Sequence, residues 1–584
     1  MKQFLITVAG VLVGLILFLI VAPMVLVASL SSKKAPPSPS AVVLTLDLRR
    51  DMPDQPTQNP FAGLSGKLST VEVVRKLEAA ARDDKVKGIF LRANTTGVPA
   101  AQAEEIRGAL AAFKAEKKFV LAHIQNDALS ASLGGYMTVA GADELWLQEA
   151  SDFMPMGLVS EELFLGGTLE KFHVDPEFEQ REEYKNAVNT LTQKGYTTAH
   201  REATQSLLDS LYGAAIEAIA ADRKMSRAEA DAAVKGTPYS GKAAIEAKLV
   251  DKLGRPEDAE AAALARGGDG AKLVELEDYT PPPRSGPVIA LVGGEGDIVS
   301  GPETPASPFA DTAVMNSDAI AQAFEDAASD RDVRAIIFRV NSPGGSAVAS
   351  DQILHAMQLA QQKGKKVVVS MGPYAASGGY YVAAGADSII ASPMTITGSI
   401  GIFGGKFVLG DALQRYLGAR GDAIAVGSPY ANMFTADAPF TNAQRQAFAA
   451  MIDRGYAAFL SVVASGRKMS MEQARAVAKG RVWTGAQAKE RGLVDELGGL
   501  PAAVARAKAL AGVKETTQVT LKLYPGEKSP LEQLQELLGV SAENARAAAA
   551  LGAVLGDKRV NAILRDAVAG DQPALHARAD VTVR

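Results

Sequence analysis

The sequence predicts an α/β protein built from two tandem homologous domains, each with a largely parallel sheet. The first observation is an internal repeat: residues 84–94 (DKVKGIFLRAN) match 331–341 (RDVRAIIFRVN), and residues 133–143 (LGGYMTVAGAD) match 377–387 (SGGYYVAAGAD). The second is the offset between the copies, 247 residues (331 − 84) and 244 residues (377 − 133), which indicates a duplicated domain rather than the short units of a solenoid. The third is the alternation of short apolar strands with helical stretches, which is typical of βαβ units and a parallel sheet.

Each copy is expected to begin with the same three strands, separated by helices, and to end in a helix-rich part such as Thr441–Ser465. The predicted strands are Val42–Leu46, Gly88–Arg92 and Phe119–Ala122 in the first copy, and Val288–Val292, Ala335–Val340 and Val367–Met371 in the second.

Two proline-rich breaks divide the chain. Residues 35–40 (APPSPS) form an extended spacer, and residues 281–287 (PPPRSGP) separate the copies. With 584 residues the chain is also too long for a single core. The expected organisation is an N-terminal membrane anchor (1–34), a linker (35–40), a first repeat domain (41–280), a linker (281–287), a second repeat domain (288–512) and a C-terminal strand and helix extension with a polar tail (513–584).

An uncharged apolar segment runs from Phe4 to Leu30. At about 1.5 Å per residue it can cross a hydrocarbon core of about 30 Å, so it predicts one transmembrane helix ahead of the two domains. A cleaved signal peptide is the alternative, because residues 27–29 (VAS) could serve as a cleavage site, although the apolar region of a signal is typically about 7–15 residues. Lysines flank the segment on both sides, so charge alone does not determine its orientation.

Composition excludes several functional classes. A net charge of −5 provides no basic field for nucleic acid. The chain has no cysteine, which removes disulfides, thiolate catalysis and cysteine metal sites. The five histidines stand singly, without metal-ligand spacing. We therefore expect neither a metal nor a cofactor.

The copies differ where they could carry chemistry. Ser377 precedes two glycines in the second copy, whereas Leu133 precedes the same two glycines in the first. Ser377 follows an apolar strand and begins a helical stretch, a position that would present a nucleophilic hydroxyl beside free backbone N–H groups. A simple helix N-cap is the alternative role for this serine.

A glycine-rich turn, residues 341–346 (NSPGGS), follows the second strand of the second copy. Its amides lie at the carboxyl end of a parallel strand, where such sheets place their sites, and could contribute to an oxyanion hole. The first copy keeps one glycine there, in residues 95–98 (TTGV), so turn and serine are altered in the same copy. A purely structural tight turn, the alternative, should be needed equally by both copies.

Lys185 is singled out by the repeat, since residues 184–186 (YKN) correspond to residues 430–432 (YAN), with Ala431 in place of the lysine. A general-base lysine must be neutral near pH 7, so burial or a nearby cation must lower a pKa that is ordinarily about 10.4. Arg181 would favour the neutral form, whereas the acidic residues 182–183 would oppose it. Burial must therefore dominate, and the acidic pair should point away. A solvated surface lysine is the alternative.

A serine–histidine–aspartate triad is not expected, because the nearest histidine, His355, lies within a helical stretch and is more typical of a packed helix residue. A serine–lysine dyad is a known variant of the triad. Here one copy would supply the serine and the other the lysine. Ser399, in residues 397–401 (TGSIG), corresponds to Leu158, a further polar residue replaced by an apolar one in the first copy.

Together these motifs resemble the long, duplicated form of the bacterial signal peptide peptidase A family, in the Clp-protease/crotonase superfamily. The resemblance covers about residues 1–512 and depends on NSPGGS, YAASGGYY, TGSIGIFG and YKNAV at these spacings. It implies two tandem Clp-protease/crotonase-like domains. It also implies these site residues: Ser377 as nucleophile, Lys185 as general base, Ser399 as a residue that holds the lysine, and the amides of Gly345 and Gly378 as the oxyanion hole.

The same resemblance implies a membrane-anchored serine endopeptidase that degrades remnant signal peptides and other extended hydrophobic peptides. It implies a homotetramer, held by a single span in the bacterial inner membrane, with the catalytic domains on the periplasmic side.

Two other functions remain open from the residues alone. A catalytically inactive, membrane-tethered peptide-binding scaffold would carry a serine that resists acylation. A crotonase-like acyl-CoA enzyme would share the oxyanion hole but need no serine. The sequence also leaves open the cleavage preference, and whether Ser377 and Lys185 meet within one chain or across subunits.

Overall fold

The computed structural model describes residues 39–56, 67–94, 98–125, 133–283, 285–302 and 313–526. The predicted membrane anchor, most of the linker after it, the first-copy turn at 95–97 and the helix and tail predicted after residue 526 lie outside the described residues.

The first domain is built on a six-stranded parallel sheet. Along the chain its strands are β1 (Val42–Asp47), β2 (Val86–Ala93), β3 (Phe119–Ile124), β4 (Glu144–Leu147), β5 (Asp175–Gln180), β6 (Lys252–Leu253) and β7 (Lys272–Glu275). All except β5 join the sheet, in the order β6-β4-β3-β2-β1-β7. Every residue of β3 is buried, as expected for a parallel strand covered on both faces.

Helices cover both faces of this sheet, and one of them, α6 (Thr198–Arg223), also contacts the second domain. They are α1 (Thr70–Ala81), α2 (Ala100–Ala115), α3 (Leu133–Val139), α4 (Gly166–Lys171), α5 (Asn189–Thr192), α6 (Thr198–Arg223), α7 (Arg227–Lys235), α8 (Gly241–Glu246) and α9 (Pro256–Gly267), with a 3₁₀ turn at Asn186–Val188. The start of α1 is set by a capping box, in which Ser69 accepts from the Glu72 amide and Glu72 accepts from the Ser69 amide.

The second domain repeats the architecture. Its strands are β8 (Val288–Glu295), β9 (Asp297–Val299), β10 (Val314–Asn316), β11 (Val333–Ser342), β12 (Lys366–Ala376), β13 (Ser388–Ala391), β14 (Ile396–Gly398), β15 (Phe403–Val408), β16 (Val482–Thr484), β17 (Glu496–Leu497) and β18 (Thr520–Tyr524). Its helices are α10 (Ser317–Ser329), α11 (Ala347–Gln362), α12 (Gly378–Ala383), α13 (Gly410–Leu417), α14 (Asn442–Gly466), α15 (Met471–Val477), α16 (Gly485–Glu490) and α17 (Leu500–Leu510).

The main sheet of this domain runs in the order β16-β14-β12-β11-β8-β18, with β13 branching from β12 toward β17. Its strand pairs are parallel except β14 with β16. β18 lies beside β8 as β7 lies beside β1. The second sheet therefore continues past residue 512, the boundary expected for that domain from the sequence.

The six strands predicted from sequence all form, each somewhat longer than expected, and the predicted helix at Thr441–Ser465 is α14, with Thr441 as its N-cap. Within the described residues α14 alone has the length and composition to cross a membrane. One side of α14 is buried in the core of the second domain, through Phe459, Leu460 and Val463 among others.

The duplication extends to individual hydrogen bonds. The Tyr136 hydroxyl donates to the Leu249 carbonyl at 2.8 Å, and the Tyr380 hydroxyl donates to the Leu493 carbonyl at 2.9 Å. Likewise Arg223 pairs with Asp251, and their counterparts Arg467 and Asp495 pair in the second domain. The two copies are therefore the same fold, and differences between them mark positions where their roles diverge.

The copies contact each other at several places within one chain, and two of these contacts matter most here. β5 of the first domain and β15 of the second form an antiparallel ribbon. Elsewhere, the buried guanidinium of Arg339 in β11 donates to Asp54 at 2.5 and 2.8 Å and to Glu105 at 2.8 Å, both from the first domain. Buried charges must be paired to be stable. Because this arginine and its two carboxylates come from different domains, their pairing favours one placement of the domains relative to each other.

Candidate active site

Ser377 stands at the turn between strand β12 and helix α12, as the sequence predicted. Its backbone has φ 53° and ψ −118°, a conformation that non-glycine residues rarely adopt. Such strain costs about 1–3 kcal/mol and persists where the surrounding structure imposes it, often at functional sites. Here the Ser377 amide donates to the Gly398 carbonyl at 2.9 Å, which holds the turn.

Lys185 reaches Ser377 within a single chain. It follows β5, so the ribbon with β15 carries it from the first domain to the second. The Lys185 Nζ lies 3.0 Å from Ser377 Oγ, 2.9 Å from Ser399 Oγ and 2.9 Å from the Ser399 carbonyl oxygen. The structure thus brings together the three side chains singled out by comparing the two copies.

Burial makes this lysine unusual. Lys185 is 3% exposed, and burial lowers its pKa from the ordinary 10.5 to about 7, because a desolvated ammonium is less stable than a neutral amine. Burial is the cause of the pKa shift, as expected. The smaller contribution expected from Arg181 is wrong, because Arg181 donates to Asp453 at 2.5 Å instead.

The acidic neighbours point away from the amine, as predicted. Glu182 pairs with Arg475 at 3.1 Å, and Glu183 pairs with Lys479 at 3.3 Å, both on the second domain. These carboxylates therefore help to hold the segment that carries Lys185, and the amine itself contacts Ser377 and Ser399.

Backbone amides converge beside the serine. Gly344 and Gly345 have φ values of 120° and 146°, and a Cβ added to Gly344 would lie 2.8 Å from both the Gly378 nitrogen and the Ser377 Cβ. Only glycine permits so close an approach. Among the described residues the amides of Gly345 and Gly378 have no hydrogen-bond acceptor, so both N–H groups are free to bind an oxygen beside Ser377.

Two further glycines that sequence reasoning missed line the lysine. A Cβ on Gly401 would lie 3.1 Å from the Lys185 side-chain Cδ, and a Cβ on Gly480 would lie 2.6 Å from the Lys185 backbone nitrogen. Gly401 stands in the TGSIG motif already noted, which was a usable signal. Gly480 contacts Lys185 only through tertiary packing, and a single sequence carries no sign of it.

The counterparts of these residues carry no equivalent groups. Leu133 is fully buried in the first domain, Leu158 is 38% exposed, and Ala431 is exposed. His355 lies on the exposed side of α11, so the expectation that it is packed was wrong. Across the described residues, no group of three or more histidine, aspartate or glutamate side chains could hold a metal.

Known proteins resemble this chain along most of its length. The model of peptidase family S49 matches the chain twice, over residues 112–267 and 359–514, once in each copy. The chain is 32% identical to Protease 4 of Salmonella typhi, covering 84% of this chain and 82% of that protein. It is 32% identical to Protease 4 of Haemophilus influenzae (78% and 75% covered) and 28% identical to the chloroplastic serine protease SPPA of Arabidopsis thaliana (82% and 70% covered).

The matched segments include Ser377, Lys185 and Ser399, which lie together in the structure. Because the family model matches both copies, and because the relatives that cover most of the chain are proteases, the chain belongs to peptidase family S49 and is a serine protease.

Proposed function

We propose that Ser377 and Lys185 are the nucleophile and the general base of this protease. The observation that carries the proposal is the 3.0 Å contact between Lys185 Nζ and Ser377 Oγ, made by a buried lysine whose pKa is about 7. A neutral amine has two N–H groups and one lone pair. The two oxygens of Ser399, each 2.9 Å away, accept the two N–H groups, which turns the lone pair toward the Ser377 hydroxyl.

In this mechanism Lys185 takes the Ser377 proton as the hydroxyl oxygen attacks a peptide carbonyl. The tetrahedral oxyanion then accepts hydrogen bonds from the free amides of Gly345 and Gly378, each worth about 2.7–4 kcal/mol by analogy with a known protease. The ammonium returns its proton to the leaving amine, and the neutral lysine next activates the water that hydrolyses the acyl-enzyme. Ser399 acts through Lys185 and is a positioning residue.

The proposed substrates are remnant signal peptides and other extended hydrophobic peptides. The support for this substrate class is the family resemblance of the motifs NSPGGS, YAASGGYY, TGSIGIFG and YKNAV. We further propose a homotetramer anchored by residues 1–34 in the bacterial inner membrane, with both domains on the periplasmic side. The apolar segment Phe4 to Leu30 supports the anchor.

The test is cleavage of a synthetic signal peptide by Ser377→Ala and Lys185→Ala, with Lys194→Ala, an exposed lysine nine residues further along the chain, as the matched control. Both dyad variants should lose at least about 10³-fold in kcat/KM, as for loss of a nucleophile or base in other serine proteases, and the control should stay within about twofold. Substantial turnover by Lys185→Ala would overturn the base assignment.

Mixing the two dyad variants tests where the site forms. Because the 3.0 Å contact lies within one chain, mixed assemblies should stay inactive. Restored activity would mean that the serine and the lysine act across subunits. Labelling of Ser377 by a fluorophosphonate distinguishes the protease from an inactive peptide-binding scaffold, which should not react.

A further inference from the structure

The side chain of Arg481 links the two domains beside the active site. Arg481 immediately precedes strand β16 of the second domain, and its guanidinium donates two hydrogen bonds of 2.7 Å to the two carboxylate oxygens of Glu202, on helix α6 of the first domain. A planar guanidinium that binds a carboxylate through two parallel hydrogen bonds fixes the angle between the groups as well as their distance. The pair therefore orients α6 relative to β16.

Two aromatic rings lie against the same guanidinium. Its central carbon is 4.8 Å from the centre of the Tyr184 ring and 4.6 Å from the centre of the Trp483 ring, within the range of cation–π contacts. The Tyr184 hydroxyl also donates a hydrogen bond to Glu202. Because Tyr184 directly precedes Lys185, these contacts restrain the chain next to the proposed general base.

The backbone of Arg481 holds the residue that positions the lysine. The Ser399 amide donates to the Arg481 carbonyl at 2.7 Å. Ser399 has a φ of 50°, a left-handed conformation that a serine keeps only where its surroundings impose it. Both oxygens of Ser399 lie 2.9 Å from the Lys185 amine. One residue, Arg481, thus restrains both groups whose geometry directs the lone pair of the amine.

The two residues before Arg481 contact the same two segments. The Tyr184 amide donates to the Lys479 carbonyl at 3.2 Å, and the Gly480 amide donates to the Ile400 carbonyl at 2.9 Å. Residues 479–481 therefore run between the segment that carries Lys185 and the segment that follows Ser399, and they hydrogen-bond to both.

Comparison of the two copies marks this ion pair as it marks the dyad. At the offset of 244 residues that relates the two RKMS motifs (467 − 223), Glu202 corresponds to Gln446 and Arg481 corresponds to Thr237. Neither charge recurs, although the arginine and aspartate pair described above recurs in both domains. A contact that served only the shared fold should be needed by both copies. The difference therefore indicates a role specific to the site that holds Lys185.

The charged groups around Lys185 are all paired. The pairs are Arg181 with Asp453, Glu182 with Arg475, Glu183 with Lys479 and Glu202 with Arg481. Burial is the cause of the lowered pKa of Lys185. Loss of the Arg481 contact should therefore act on the amine through packing and hydration, and not through charge.

We propose that Arg481 is a positioning residue for the general base. Its guanidinium holds Tyr184 and so the backbone of Lys185, while its carbonyl holds Ser399. Together these contacts keep the amine buried and its lone pair directed at the serine. The inference rests on the proposed dyad, and Glu202 is the first-domain residue that holds Arg481 in place.

The first test is kinetic and uses the full-length protein in detergent. Arg481→Met keeps an apolar side chain and the backbone carbonyl but removes the guanidinium. It should lower kcat for a synthetic signal peptide by about 10²-fold, the effect of displacing a catalytic group by about 1 Å, with KM within about threefold of the natural value. A natural kcat in this variant would overturn the inference.

Arg491→Met is the matched control. Arg491 lies over the same Trp483 ring at 3.9 Å, but it donates to Gln487 and pairs with Glu490 close to it in the chain. This variant should keep the natural kcat. The melting temperatures of both arginine variants should lie within about 4 °C of the natural protein, as for loss of a partly exposed ion pair.

The second test uses the sign of a pH shift in Glu202→Ala, which removes a carboxylate that is half-exposed and so leaves no buried cavity. Through charge alone, loss of an anion would lower the pKa of a nearby amine. Through positioning, Arg481 loses its partner, Lys185 becomes more hydrated and its pKa rises. The midpoint of the kcat/KM profile, near pH 7 in the natural protein, should therefore move up by about 1 pH unit. A midpoint that stays or moves down would overturn the positioning role.

Failure of this inference is distinguishable from failure of the dyad. If Lys185→Ala keeps substantial turnover, the base assignment itself is wrong. If Lys185→Ala is inactive while Arg481→Met and Arg491→Met turn over alike, the dyad stands and the role of Arg481 is overturned. The double variant Arg481→Met/Glu202→Ala should lose no more activity than Arg481→Met alone, because both changes break one contact. Additive losses would contradict this.

Discussion

Replacing Lys185 with methionine should remove activity and yet stabilise the fold, by an amount that depends on pH. The natural protein buries an amine that is protonated in the unfolded chain up to its ordinary pKa of 10.5, but in the folded chain only up to about pH 7. Methionine has a similar volume and no charge to bury. The difference in stability between the two proteins therefore reports the desolvation of the lysine.

The magnitude follows from the two pKa values. Below pH 7 both states of the natural protein hold the proton, so folding carries the whole cost of burying the ammonium, roughly 5 kcal/mol at 1.36 kcal/mol per pH unit. Between pH 7 and 10.5 the unfolded state binds the proton and the folded state does not, so stability of the natural protein rises with pH. Above pH 10.5 the amine is neutral in both states, so its burial no longer lowers the free energy of unfolding. The advantage of Lys185→Met should thus shrink by roughly 2 kcal/mol from pH 7 to pH 9.

The assay is the free energy of unfolding in urea at pH 6, 7, 8 and 9 for the natural protein and Lys185→Met. Lys242→Met, at an exposed lysine of the first domain, serves as the control and should differ from the natural protein by the same amount at every pH. The lost hydrogen bonds to Ser377 and Ser399 shift the Lys185→Met curve by a constant and leave its slope unchanged. Parallel curves for the natural protein and Lys185→Met would refute the burial argument.

Three further predictions concern the site and the domain junction. The value of kcat/KM should rise as pH increases through about 7, where the folded lysine loses its proton, in a pH-rate profile with a signal peptide substrate. Gly344→Ala should lower kcat by at least about 10²-fold, the effect of losing an oxyanion donor, since its methyl would lie 2.8 Å from the Gly378 nitrogen at a positive φ. Arg339→Met should destabilise the protein by about 3–5 kcal/mol in urea, because it leaves Asp54 and Glu105 buried without their cation.

Matched controls separate these effects from general damage. Gly364→Ala has a similar positive φ of 86° but open space around it, so it should leave kcat unchanged. Arg334→Met removes an exposed arginine from the same strand as Arg339 and should change stability by less than about 0.5 kcal/mol. A flat pH profile across pH 6–8, full activity in Gly344→Ala, or equal stability of the two arginine variants would each contradict the corresponding reasoning.

Much of the site could be predicted because the chain carries its own comparison. A lone serine before two glycines is weak evidence, and Lys185 has no motif of its own, but each differs from its counterpart in the other copy. Those differences selected Ser377, Lys185 and Ser399 without any knowledge of the fold. The six predicted strands were equally accessible, since apolar runs bounded by turn residues are local features.

The parts that sequence reasoning missed depend on contacts between distant residues. Arg339 interacts with Asp54 and Glu105 across the two domains, and an arginine inside an apolar strand carries no sign of which acids will pair with it. The expected role of Arg181 failed for the same reason, since its partner Asp453 is supplied by α14. Gly480 contacts the Lys185 backbone only through the packing of the second domain against the first.

The sequence by itself determined that two copies of one fold follow each other, that their strands alternate with helices, and that one copy kept a serine and the other a lysine, at different positions of the repeat. These properties are local or repeat-based, and composition and spacing record them directly. Only the tertiary structure decided that Ser377 and Lys185 meet within one chain and that the amine is buried enough to be neutral near pH 7. The physical reason is that desolvation and proximity arise from packing between segments almost 200 residues apart (377 − 185), which the β5 and β15 ribbon brings together.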